Sequence, residues 1–105
     1  MDKMKAMKDS SQIIAYLSNN KYRLMRKYHL TKLGVFGSVA RGDQSDDSDI
    51  DLIVEFDDDV KDLYLVKKQL REEIKKHFNR RVDICREKYI KARIKDHILS
   101  QARYV

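Results

Sequence analysis

Apolar residues recur at helical spacing at Ile13, Ile14 and Leu17, and again at Leu24, Met25 and Tyr28, with Asn19-Asn20 interrupting the run. The pattern predicts two short helices or one broken helix. Leu33 to Phe36 is a short apolar run stopped by Gly37, which suits a buried strand. Asp49 to Phe56 then sets Ile50, Leu52, Val54 and Phe56 on one face by strict alternation, the clearest strand signal in the chain. A helix follows, with the stripe Leu63, Val66, Leu70, Ile74 and Phe78 at steps of three and four. The acids Asp57-Asp58-Asp59 ahead of it suit a helix N-terminus. Arg81 to Cys85 reads as a third short strand, with Val82 and Ile84 facing one way and Asp83 the other. Ile90, Ile94, Ile98 and Ala102 step by four and mark a C-terminal helix. With a one-turn helix expected between Gly37 and Gly42, the order is helix, strand, short helix, strand, helix, strand, helix. This is an α/β (α+β) arrangement on a small sheet.

Composition narrows the class. With 105 residues, 42% hydrophobic and 38% charged, three glycines and no proline, the chain is expected to be one folded domain over 1–105. No segment approaches the roughly 20 apolar residues that cross a bilayer, and no signal-peptide run is present, so a cytoplasmic protein without membrane contact is expected. The lone Cys85 excludes a disulfide framework within one chain and is read as a small buried hydrophobe. His29, His77 and His97 have no H-E-x-x-H spacing and read as surface or boundary residues.

Charge changes the picture more. Net charge is +6, yet residues 33–59 hold one basic residue against nine acids, while the flanks are strongly basic. Within this acidic centre lies FGSVARGDQSDDSDIDL. Residues two apart in a strand share a face, so Asp49 and Asp51 project together while Ile50 and Leu52 are buried behind them. Two such carboxylates repel unless a cation intervenes. D-x-D alone is commonly just an exposed acidic strand face, but Gly37-Ser38 follows the first strand directly. A tight turn there would present backbone N–H groups and the Ser38 hydroxyl to an anion. GSVARG satisfies the spacing of a P-loop but fails at Asp43-Gln44, where Lys and Ser/Thr are required.

Gly37-Ser38, ten intervening residues, then Asp49-Ile50-Asp51 resembles the G-S-x10-D-x-D signature of the DNA polymerase β-like nucleotidyltransferases. The fuller FGSVARGDQSDDSDIDLIV is similar to the superfamily's minimal prokaryotic branch, the minimal nucleotidyltransferases. The resemblance implies a polymerase β palm-like fold, with a small mixed three-stranded sheet flanked by about four helices. It implies a third acid, Asp83 in RRVDIC, and a catalytic set of Asp49, Asp51 and Asp83 that also binds metal. Hard oxygen ligands point to Mg²⁺, with two ions about 3.5 to 4 Å apart, and the resemblance implies ATP as substrate. Gly37 and Ser38 would hold phosphates, Gly42 and Ser48 would shape the loop, and Arg41 would contact phosphate.

The acceptor is less legible. Stand-alone members of this branch are paired with a HEPN-domain toxin, so the resemblance implies an antitoxin, in a hetero-oligomer with that toxin, that transfers AMP to a hydroxyl, expected to be a tyrosine's. Three alternatives stay open: a contact-only antitoxin module, a small-molecule nucleotidyltransferase acting as a dimer, and direct RNA binding by the basic flanks, whose mark would be steep salt dependence.

Overall fold

β2, Ile50–Phe56, is the strand around which the sheet is built. The computed structural model describes residues 10–37, 40, 49–90 and 101–105. Its elements are α1 (Ser10–Asn19), α2 (Lys21–Lys27), β1 (Leu30–Phe36), β2, α3 (Leu63–Phe78), β3 (Val82–Arg86), a 3₁₀ turn at Glu87–Tyr89, and β4 (Arg103–Tyr104). The strand order is β3-β2-β1-β4. β1 runs antiparallel to both β2 and β4, while β2 and β3 are parallel, so the sheet is mixed. A parallel pair needs a long crossover, and α3 provides it.

Each local signal has a physical agent. The broken N-terminal helix is two helices: Asn20 stops α1, its backbone N–H and its side-chain Nδ2 both donating to the Tyr16 carbonyl at 3.0 and 2.8 Å. α3 begins at the Asp62 cap, whose side chain accepts from the Leu65 N–H at 3.1 Å. It ends at Asn79, which takes the left-handed conformation (φ 54) that closes many helices.

Ile50, Leu52, Val54 and Phe56 are all buried, as the alternation predicts, and pack with Leu33 and Val35 of β1, Val82 and Ile84 of β3, and Leu70, Ile74 and Phe78 of α3. Leu17 and Leu24 close the same core from α1 and α2. Ile53, on the other face of β2, is fully buried too.

Two features depart from the expected elements. The sheet has four strands instead of three, because the short β4 adds to the edge of β1 at Gly34 and Val35. Two residues carry no readable alternation. Gly34 admits β4, since a Cβ there would stand 2.6 Å from the Arg103 carbonyl oxygen. Among the described residues there are three α-helices; the expected helix after Gly37, apart from Ala40, and residues 91–100 of the expected C-terminal helix lie outside them. Cys85 is only partly buried.

α2 is tied to α3 through one carboxylate. Glu73 accepts from Arg23 at 2.7 Å, from Lys27 at 3.2 Å and from the Tyr28 hydroxyl. Its side chain is only 20% exposed. Burial pushes its carboxyl up, but the hydrogen bonds from Arg23, Tyr28 and Lys27 and the Arg23 charge outweigh this and hold it at about 2. A pKa depressed in the folded state contributes stability that is complete above the ordinary value of 4.5 and is lost as pH falls toward about 2. Glu73→Gln is therefore expected to cost about 1–2 kcal/mol at pH 7. In urea titrations at pH 7, 4 and 3 the gap to the wild type should narrow with falling pH. A gap that stays constant would contradict this role for Glu73.

Candidate active site

One face of β2 makes the core; the other carries the acids. The parallel register with β3 sets Asp51 directly opposite Asp83, and Ile53 opposite Cys85. The antiparallel register with β1 sets Asp51 opposite Phe36, the residue before Gly37. Two strand ends and the exit of a third thus converge at Asp51.

Adjacent strands lie about 4.8 Å apart. Two like charges facing each other across that gap cost roughly 1 kcal/mol even where water screens them. Asp83 is exposed and Asp51 half-buried, so the pair opens to solvent on one side and rests on the sheet on the other. The same field reaches Cys85, whose thiol is pushed up by burial and by the Asp83 and Asp51 charges, against the lowering effect of Lys67. Asp49 stands just ahead of β2, and its Oδ1 is 3.1 Å from Arg81 Nε. Among the described residues, no three His, Cys, Asp or Glu side chains are gathered at metal-holding distance.

Gly37 is required twice. It leaves β1 with φ 68, a conformation strained for residues with a Cβ. A Cβ there would also fall 2.5 Å from Asp51 Oδ2. The glycine backbone therefore lies directly against the carboxylate, an intimacy no larger residue could share.

Of the expected site residues, Gly37, Asp49, Asp51 and Asp83 are brought to one end of the sheet. Ser38, Arg41, Gly42 and Ser48 lie outside the described residues. Arg81 is the residue that sequence reasoning passed over. Its signal was its place two positions before Asp83, on the same face of the strand.

Comparison with known proteins identifies the family. The nucleotidyltransferase domain profile matches residues 19–105. The chain belongs to the nucleotidyltransferase domain family. A Methanocaldococcus jannaschii protein, named by inference as a protein adenylyltransferase, is 34% identical over 98 residues, covering 89% of this nucleotidyltransferase and 98% of the relative. The protein adenylyltransferase MntA of Thermococcus cleftensis is 30% identical over 100 residues, covering 95% and 99%. A solved structure assigned as a minimal nucleotidyltransferase superposes with a TM-score of 0.75 at 29% identity, covering 90% of this chain and 94% of that one. A crystal structure of a toxin-antitoxin with AMP-PNP shares the fold, with a TM-score of 0.64 at 22% identity, over 82% of this chain and 69% of that one. Among the described residues, no helix is long and apolar enough to cross a membrane.

The glycine contact gives a direct test of how this nucleotidyltransferase positions Asp51. Gly37→Ala must displace either the turn or the carboxylate, and is expected to lower nucleotidyl transfer by roughly a hundredfold while costing about 1–3 kcal/mol of stability. Activity and urea unfolding measured on the same preparation check it. Wild-type activity in Gly37→Ala would show that the close approach has no bearing on the chemistry.

Proposed function

We propose that this nucleotidyltransferase is a single minimal catalytic domain that transfers AMP from ATP to a hydroxyl of a partner protein, in a Mg²⁺-dependent reaction. The observation that carries the reading is the opposed pair Asp51 and Asp83 beside Gly37, set within the spacing G-S-x10-D-x-D. Relatives aligned over nearly their whole length bear the name protein adenylyltransferase, which supports a protein acceptor. The toxin-antitoxin assembly with AMP-PNP, similar in fold, supports a toxin partner and an adenine nucleotide. We take that toxin to be a HEPN-domain protein, the acceptor to be a tyrosine, and the setting to be the cytoplasm.

The donor set fits a hard divalent cation. Carboxylate oxygens facing each other across a parallel strand pair, at a cost when bare, suit Mg²⁺. Asp49 and Asp51 would hold the ions, with Asp83 on the acceptor side. When bound, Mg²⁺ supplies charge neutralisation for the triphosphate and for the leaving group. Asp83, exposed at the rim, accepts the proton of the acceptor hydroxyl. The acceptor oxygen bonds to the α-phosphorus, the bond from that phosphorus to the bridging oxygen breaks, and pyrophosphate leaves. Gly37 and Ser38 would hold the phosphates, Gly42 and Ser48 would shape the loop that closes the site, and Arg41 would contact phosphate.

Incubation with α-labelled and with γ-labelled ATP, with Mg²⁺, alone and with the protein encoded beside it, tests this. Label from the α position alone on the neighbour is the expected result, reduced by roughly a hundredfold or more in Asp49→Asn, Asp51→Asn and Asp83→Asn. Label from the γ position would overturn nucleotidyl transfer. No label, in a mixture where the two proteins form a stable complex, would overturn it in favour of a contact-only antitoxin. Label on an aminoglycoside without any partner protein would replace the protein acceptor with a small molecule.

A further inference from the structure

Just ahead of Ile50 and Val82, the first pair of the register that opposes Asp51 and Asp83, Asp49 and Arg81 form an ion pair. The Ile50 N–H donates to the Arg81 carbonyl at 2.9 Å, which fixes the Arg81 backbone beside the start of β2. From there its guanidinium reaches Asp49 Oδ1 at 3.1 Å. Arg81 remains 80% exposed and Asp49 44% exposed, so the contact is held by charge and not by packing. It can be broken without disturbing the core. In this state one acid of the catalytic set already has a cation, and no three acids among the described residues are gathered as metal ligands.

We propose that Arg81 is the resident counter-cation of Asp49, and that loading of the site with a divalent cation is an exchange in which Asp49 leaves Arg81. The inference rests on the reading of Asp49 as a metal ligand. It adds a regulatory element to that site: the arginine keeps the carboxylates from repelling one another while they wait, and sets a threshold for the cation. Arg81 is here a positioning residue and needs no contact with the reacting atoms.

An exposed ion pair of this kind typically contributes a modest amount, equivalent to about two- to fivefold in an equilibrium constant. Mn²⁺ binding to the whole chain without nucleotide, by calorimetry or by the loss of the free-ion paramagnetic resonance signal, reads it directly. Arg81→Gln is expected to bind Mn²⁺ about two- to fivefold more tightly than the wild type, and Arg81→Lys to restore wild-type affinity. Lys67→Gln removes a nearby positive charge without touching the pair, and should have a smaller effect. Equal or weaker Mn²⁺ binding by Arg81→Gln, or an effect no larger than that of Lys67→Gln, would overturn the exchange. Asp49→Asn separates the two levels. If wild-type Mn²⁺ binding does not depend on Asp49, the metal reading itself fails; if it depends on Asp49 but not on Arg81, only the exchange fails.

Discussion

The parallel pairing of β2 with β3 is the constraint on which the rest depends. A slip of one residue in that register would turn Asp83 into the core and bring Val82 or Ile84 onto the acid face. The buried rows oppose that slip: Ile50 with Val82 and Leu52 with Ile84 on the core side. α3, which makes the crossover, is stopped at both ends by named residues, Asp62 and Asn79, and is held to α2 through Glu73. Hydrophobic burial on one face thus forces two carboxylates together on the other, where they would not meet of their own accord.

The acid face is graded along its length. Toward the far end, Glu55 accepts from Arg86 at 2.9 Å and from the Lys88 N–H at 3.2 Å, and Glu87 pairs with Lys32 at 2.6 Å while accepting from the Tyr104 hydroxyl at 2.8 Å. Those carboxylates are structural, joining the 3₁₀ turn and β4 to the sheet. At the Asp51 end the geometry is different: a carboxylate pair on neighbouring strands, a glycine in contact, and one acid in an exposed ion pair.

Much of this was legible in the linear order of residues. Strict alternation announced β2, the step of three and four announced α3, and the spacing from Gly37 to Asp51 announced the family. These signals are local, and each rests on a period that the backbone imposes. What escaped depends on pairing. β4 is too short to alternate and is defined by the space Gly34 leaves. Glu73 lies 45 to 50 residues from Tyr28, Lys27 and Arg23, so its role appears only once α2 and α3 meet. Arg81 reads as an ordinary basic residue until the fold brings its guanidinium to Asp49. Cys85 reads as a buried hydrophobe, yet sits near the strand edge with the thiol in the field of two aspartates.

The most direct test of the central claim is a crystal structure of the chain with Mn²⁺ and a non-hydrolysable ATP analogue, with anomalous diffraction locating the metal. The account predicts manganese held at about 2 to 2.3 Å by oxygens of Asp49 and Asp51, with Asp83 on the same face and Arg81 released from Asp49. Manganese bound elsewhere, or a nucleotide seated away from Gly37 and Asp51, would contradict it.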